Sequence, residues 1–401
     1  MPVPPSASGV TPRPVGVRQG QDRCPGTLRL HEAADGFLAR VRVPGGRLQS
    51  TQVQAVGSAA ADLGDGAVHV TSRGNLQLRG LAPDAGQPLA DRLHAAGLLP
   101  SPEHDRIRNV LASPLSGLDG RGLLDVGPLV DELDALMCAA DALTALSGRF
   151  LLGLDDGRGD VLGRGPDLTA VAEQHAVRLW VGARPTTRTC FPHEAARLLV
   201  EAAHDFLRVR SACAPDVWRV ADLGADAERI APWATGVRTP VATPLAAGPV
   251  RGPSGVTAVS VLFPLGQASP QAWAALRDAS SRTPSTAVRI TPWRGAVIAG
   301  AGEQALSDLE VAGLITGADA PLVDVTACTG RPGCASARSD VRREAAGLRL
   351  RARAGYPLHV SGCERRCGHG TGPRVEAIAT AEGRYTLHEH DLDSKRGPGA
   401  R

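Results

Sequence analysis

The sequence predicts an α+β protein built around an internal duplication, and three observations predict it. Residues 37–80 and 257–300 align without a gap at an offset of 220: Pro44 meets Pro264, Gly46 meets Gly266, Thr71 meets Thr291 and Gly80 meets Gly300. The segments between and after the two copies mix strand-like and helix-like periodicities. Four of the eight cysteines, Cys328, Cys334, Cys363 and Cys367, fall within 40 residues near the C-terminus. In each copy, alternating apolar and polar residues run into a Pro-Gly turn, then through a helix opened by Ser50 or Ser269. A second β-rich run, AVHVTS or AVRIT, closes the copy. A β–α–β unit used twice, this far apart, predicts two half-domains packed about a pseudo-twofold axis, which commonly frames a central cleft.

Taken in order, MPVPPSASGVTPRPVGVRQG makes residues 1–22 a disordered Pro-rich arm, without the apolar stretch of a signal peptide. Residues 23–100 form the first half-domain. An α/β lobe over 101–238 carries a helix at 125–146, strands at 149–156 and 177–181, and a helix at 193–207. The stretch TPVATPLAAGPVRGPSG reads as a linker over 239–255, rich in Pro and Gly. The second half-domain occupies 256–302, a shorter α/β lobe with the four cysteines 303–390, and DLDSKRGPGAR a disordered tail over 391–401.

Composition narrows the function classes. With 401 residues and 43% apolar content the chain can bury a sizeable core, and no apolar run approaches a membrane span of roughly 18 residues. A net charge of +3 argues against a general nucleic-acid binder. A cytoplasmic location without partner membrane or nucleic acid is expected, so a disulfide framework is a poor reading of the cysteines. The basic residues are arginine except for Lys395; GC-rich coding explains most of that, yet Arg forks also suit planar carboxylates. Cys24, Cys138, Cys190 and Cys213 read as small hydrophobes, Cys138 on an apolar helix face with Leu133 and Met137.

The remaining four cysteines form Cys328-x5-Cys334 and, after a gap of 28 residues, Cys363-x3-Cys367. Two close thiolate pairs can supply one ligand to each iron of a [4Fe–4S] cluster. Gly330, Gly333, Gly362 and Gly368 allow tight turns that aim amides at sulfur, and Arg331, Arg365 and Arg366 add positive charge. A structural tetrahedral zinc accepts the same four ligands, although zinc ribbons favour x2 spacing.

Together, repeat and cysteine pattern resemble the sulfite/nitrite reductase superfamily over roughly residues 23–375. The resemblance implies duplicated ferredoxin-like half-domains, two α/β lobes, and a [4Fe–4S] cluster on Cys328, Cys334, Cys363 and Cys367. In the reductases the cleft holds sirohaem, bridged to the cluster through the last cysteine, here Cys367. Arginines clamp its carboxylates, and the matching stretches are VRVPGG with Arg42, TSRGN with Arg73, IRNVLASPLSG with Arg108 and GRFLLGLDD with Arg149. At Arg149 the reductases have the first lysine of a Lys-x-Lys pair; the second falls on Leu151, which cannot bind or protonate an anion. Around the last pair GCERRC replaces the reductases' usual Gly-Cys-Pro-Asn-x-x-Cys.

RCPGTLRLHEAADG, LDDGRGDV and LHVSGCERRCGHG resemble most the precorrin-3B synthase branch. That implies an oxygen-dependent monooxygenase of aerobic cobalamin synthesis. The cleft then takes precorrin-3A as substrate together with dioxygen, hydroxylates a meso carbon and closes a γ-lactone, giving precorrin-3B. It also implies NADH-derived electrons from an unidentified donor and a mononuclear non-haem iron, for which His359, His369, Asp155, Asp156 and Asp160 are the weak candidates. DDGRGD reads equally as a turn whose Asp side chains bond the backbone. Two alternatives remain: a sirohaem-dependent nitrite or sulfite reductase, and a non-catalytic electron-transfer or zinc-stabilised binding protein.

Overall fold

The computed structural model describes residue 22 and residues 24–242, 245–285, 287–370 and 372–390. Apart from Asp22, the arm over 1–22 and the tail over 391–401 lie outside the described residues.

The two repeats form two sheets that complete each other. In the first, His31–Ala33, Gly36–Val41, Leu76–Leu81 and Val68–Val70 lie in that spatial order, and Gln267–Ala268 from the second repeat adds the edge. In the second, Gly248–Gly252, Gly255–Leu262, Gly295–Ala299 and Ala287–Thr291 are completed by Arg47–Gln49 from the first. The exchange is reciprocal to the residue, since His69 pairs with Gln267 and Arg289 with Arg47, positions 220 apart on both sides. Left-handed backbone recurs at the same offset: φ is 60° at Gly45 and 53° at Leu265, and 65° at Gly74 and 60° at Arg294. At Gly46 the need for glycine is absolute, because a Cβ would lie 2.0 Å from the Ile290 carbonyl oxygen across the interface.

Helices Ser50–Leu63 and Pro270–Ser281 meet at the axis, where the Trp273 indole donates to the carbonyl of Val53 at 2.8 Å. Those two residues are themselves equivalent, so the contact marks the axis. Val41, Leu48, Val53, Val259, Trp273 and Leu276 belong to one continuous core, which makes the halves a single packing unit. Ser269 caps its helix by accepting from the Ala272 amide at 3.1 Å. Ser50 does not: the first helix begins after Gln49, whose amide donates to Gln52 at 2.9 Å.

In the first lobe the sheet runs Arg184–Cys190, Val177–Val181, Leu168–Ala172, Leu152–Asp155 and Val110–Ala112. Helices Gly127–Cys138 and Ala195–Cys213 pack through Leu133, Met137, Leu199 and Phe206 onto its core. The helix expected over 125–146 stops at Cys138 and resumes as a 3-10 turn, Asp141–Ala145, while RPTTRTC adds a strand the periodicity did not announce. The expected linker needs correction too. Its end, Gly248–Gly252, is an edge strand paired with Gly255–Leu262, and edge position is what tolerates Pro249. The last lobe has strands Val325–Ala327, Leu358–Ser361, Arg374–Ala381 and Arg384–His390 in that order, with helix Val341–Arg351 against them. Among the described residues no helix is long and apolar enough to cross a membrane.

Candidate active site: a cysteine cradle beside an arginine-lined cleft

The four cysteines sit on two loops that leave the C-terminal ends of parallel strands. Cys328 follows Val325–Ala327, and Cys363 and Cys367 follow Leu358–Ser361. The Cys328 amide donates to Val360 at 3.0 Å, tying one loop base to the other. The Gly362 amide donates to the Cys328 sulfur at 3.1 Å, and a Cβ on Gly362 would come within 2.7 Å of the Ala337 Cβ. Burial pushes the Cys328 and Cys367 thiols up, and repulsion between the four cysteines acts in the same direction. Such a set of thiolates calls for a multiply charged metal centre. Among the described residues the one His/Cys/Asp/Glu trio with ligand atoms within 4.8 Å of one another is Asp155, Asp156 and Asp160, so no three of these sulfurs are that close. A tetrahedral zinc with bonds of about 2.3 Å would draw its sulfurs closer than that. The open spacing, the amide on sulfur and the neighbouring cations Arg294 and Arg342 fit a [4Fe–4S] cluster.

Both half-domains grip these loops. Arg79 pairs bidentately with Asp35 at 2.8 and 2.7 Å and donates to the carbonyl of Gly333, the neighbour of Cys334, at 2.7 Å. Arg294 donates to Ala327 at 3.2 Å and to Gly368 at 3.1 Å.

The corners Ser72–Gly74 and Pro292–Arg294 occupy equivalent positions of the two repeats. Ser72, Trp293 and Arg294 line a cavity of about 340 Å³ with Arg164, His359 and Gly368, so the cleft reaches the last cysteine loop. Among the described residues neither Arg164 nor Arg294 has a carboxylate within salt-bridge distance, and the Nε of Arg164 is buried without a partner. Burial alone pulls Arg164 down; burial, then the nearby Arg342 and Arg164, pulls Arg294 down to about 10. Arginines buried without counter-ions are held at a cost that an anionic ligand would remove. No motif pointed to Arg164, Trp293 or Arg294 in the sequence. The offset of the repeat could have, since it aligns Arg73 with Trp293 and Gly74 with Arg294.

The four arginines expected to clamp a ligand have separate fates. Arg73 donates to the carbonyl of Arg149 at 3.2 Å, and Arg149 stacks 5.0 Å from the Trp218 ring. Burial, reinforced by Arg219, Arg42 and Arg40, pulls Arg73 down to about 10, which makes this edge of the first half-domain strongly cationic. Arg42 is only 1% exposed and donates to Asn109 at 3.2 Å and Gly148 at 2.8 Å, with Cys24 against the same nitrogen. Asn109 in turn accepts from Asn75 at 2.7 Å, so Arg42 is the centre of an interior network and not a surface clamp. Arg108 is likewise corrected: its fork lies on Asp134 at 2.7 and 2.6 Å and on Leu98 at 2.9 Å. Leu151 is buried in a small apolar cluster with Leu111 and Val161.

The mononuclear-iron candidates split: Asp155, Asp156 and Asp160 have ligand atoms within 4.8 Å of one another, and His359 and His369 do not join them. Asp155 receives four amides, from Gly157 and Gly159 on one oxygen at 3.0 and 2.8 Å and from Val161 and Leu162 on the other at 3.0 Å. Its acceptor sites are full. Asp156 is held by Arg158, which also pairs with Asp119, and Asp160 accepts from Ser113 at 2.6 Å. His359 bonds Thr326 at 2.8 Å and has its second nitrogen buried without a partner; burial and then Arg294 pull it down to about 3, so it is neutral. His369 contacts the Gly370 carbonyl at 2.9 Å and is half-exposed. The clustered carboxylates are already committed to amides, Arg158 and Ser113, and the two histidines stand apart from them, a poor fit to an iron that must keep open positions.

Asp160 carries a pH dependence. Burial, with Asp155 adding repulsion, pushes it from 3.8 up to about 7. Its contribution to stability is therefore fully present below the unfolded value and is lost as pH rises through about 7. Asp160→Asn is expected to flatten that slope and to gain on the wild type between pH 5 and pH 8, which urea midpoints at the two pH values will check.

Comparison with known proteins follows the same lines. Residues 29–96 match the family described as the nitrite/sulfite reductase ferredoxin-like half domain. Over those residues the chain carries a nitrite/sulfite reductase ferredoxin-like half domain. It is 38% identical over 128 residues to ferredoxin–nitrite reductase of Synechococcus elongatus, covering 30% of this chain and 25% of that one. It is 31% identical over 137 residues to precorrin-3B synthase of a Sinorhizobium species, covering 33% of this chain and 28% of that one. The matches thus span about a quarter of these relatives' length. The structure of the Mycobacterium tuberculosis NirA protein superposes with a TM-score of 0.67 at 18% identity, over 88% of this chain and 73% of that one, a likeness of fold. In this chain the strand exchange about the axis is the scaffold that faces the two corners toward one cleft.

Proposed function

We propose that this chain is an oxygen-dependent monooxygenase of aerobic cobalamin biosynthesis that binds an acidic tetrapyrrole, precorrin-3A, in the cleft and converts it to precorrin-3B. The observation that carries the reading is the pairing of a cationic cleft with an apolar patch: Arg164 and Arg294 line the cleft without carboxylate partners, Arg73 lies next to its lining residue Ser72, and Leu111, Leu151 and Val161 form an apolar cluster where the reductases have a second lysine. Carboxylate side arms would satisfy the arginines and hold the macrocycle at a fixed height and angle. Leu151 offers no proton and no charge to a small anion, which argues against reduction of nitrite or sulfite at that position. Nitrite-reductase relatives keep the alternative in play: a resident sirohaem in the same cleft.

A [4Fe–4S] cluster on the four cysteines would supply single electrons when bound. The protein's own part is to keep the cysteine loops rigid through Arg79 and Arg294, to orient the ligand through its acid groups, and to present a neutral His359 at the cavity wall.

Anaerobically purified protein should show a broad iron–sulfur absorption with iron and labile sulfide in equal number and no haem-type bands, and should turn over precorrin-3A under dioxygen. Strong sirohaem bands with nitrite or sulfite turnover would replace this reading by the reductase. Arg73→Ala and Arg164→Ala are each expected to weaken tetrapyrrole binding about 10–100-fold, the loss of one charge-assisted contact. Fluorescence quenching titrations with the uncoloured apo-protein will measure it.

A further inference from the structure

Arg294 adopts a left-handed backbone, φ 60°, at the position where the first repeat has Gly74 with φ 65°. An L-residue with a bulky side chain is disfavoured there, whereas glycine is not. The side chain must therefore return something the turn does not need. Its path is carved by two glycines: a Cβ on Gly266 would lie 2.7 Å from the Arg294 Cδ, and a Cβ on Gly368 would lie 2.7 Å from its guanidinium. At the end of that path the fork bonds two carbonyls, Ala327 and Gly368. Ala327 immediately precedes Cys328 and Gly368 immediately follows Cys367, the first and last cysteines of the set.

We infer that Arg294 is a positioning residue for the metal centre, one guanidinium locking the first and last cysteine loops in register while placing a cation without a carboxylate partner beside the cluster. This rests on the [4Fe–4S] reading above. Arg79 performs the mechanical half of the task at Gly333, but Asp35 neutralises it. Arg294 has no such partner among the described residues, so it supplies both geometry and field. A net positive charge close to the cluster favours its reduced, more negative form and raises its reduction potential.

The test uses full-length wild type, Arg294→Gly and Arg294→Lys, each reconstituted anaerobically with ferrous iron and sulfide. Arg294→Gly relaxes the backbone, so its thermal midpoint should equal or exceed that of wild type in the metal-free state. Its cluster should nevertheless be lost to a chelator about tenfold faster, the equivalent of one charge-assisted hydrogen bond, and its midpoint potential should move negative. Arg294→Lys keeps the charge and loses the fork, so its potential should stay near wild type while chelator loss accelerates. Wild-type lability and potential in Arg294→Gly would overturn the inference and leave the cluster reading intact. If Arg294→Gly fails to fold, unchanged chelator loss in Arg294→Lys overturns it instead. A wild type that takes up zinc and no sulfide overturns the cluster reading, and this inference falls with it.

Discussion

Cys334→Ser is expected to abolish the visible absorption and the labile sulfide of the purified protein, and Cys367→Ser to do the same. Each iron of a cubane needs its own terminal thiolate, and a serine hydroxyl stays protonated where a thiol ionises. The two loops offer no substitute, because the remaining cysteines lie elsewhere: Cys24 is buried against Gly148, and Cys138, Cys190 and Cys213 are on the first lobe. The fold of the last lobe should survive, since its core is made by Val325, Val341, Leu348, Val360 and Val375, with Cys328 packed against it and neither Cys334 nor Cys367 in it. Far-UV circular dichroism close to wild type with iron and sulfide counts near zero is the expected result. Cys213→Ser, at an exposed position, is the control and should keep the full cluster. A full complement of iron and sulfide in Cys334→Ser would show that the ligand set is wrong. Zinc in the wild type would show that the metal is.

The duplication was legible because a symmetric interface writes itself twice. Pro44 and Pro264, or Gly46 and Gly266, must answer the same turn in each copy, and a close approach such as Gly46 to Ile290 tolerates no side chain. The cysteine loops were legible for a related reason, as spacing in the chain limits how sulfurs can converge. The arginines were harder to read. Nothing in the local sequence separates Arg42, whose fork is buried on Asn109 and Gly148, from Arg73, which is less buried and donates to the Arg149 carbonyl. That difference comes from the first lobe, whose 147–150 turn contacts both, while Asn109 closes over Arg42 as well. Arg108 looked like a clamp because its partner, Asp134, stands 26 residues away on a helix whose facing is decided by packing. The edge strand Gly248–Gly252 hid in a Pro-rich run because edge strands can do without every second ladder bond.

Asp155→Ala is expected to destabilise the first lobe by about 4 kcal/mol, the scale for removing one partner from a buried charged network. The carboxylate is fully buried and is the sole side chain bonding the amides of Gly157, Gly159, Val161 and Leu162. Alanine would leave these four donors without their acceptor, and the DDGRGD turn would have to rearrange to solvate them. Asp155→Asn retains one acceptor oxygen and should recover part of the loss. A urea unfolding curve followed by tryptophan fluorescence measures both, Trp180 lying two strands away in the same sheet. The effect should not stop at stability. The last of the four amides, Leu162, opens the 3-10 turn Leu162–Arg164, which carries Arg164 into the cleft wall. Asp155 therefore sets the position of the arginine proposed to face the ligand, which gives the buried acid at this place a structural role. Under conditions where Asp155→Asn is still folded, its tetrapyrrole affinity should fall toward that of Arg164→Ala, and the double variant should lose little more than either alone. Additive losses would mean that the turn holds its shape without the carboxylate and that Arg164 is positioned by other contacts.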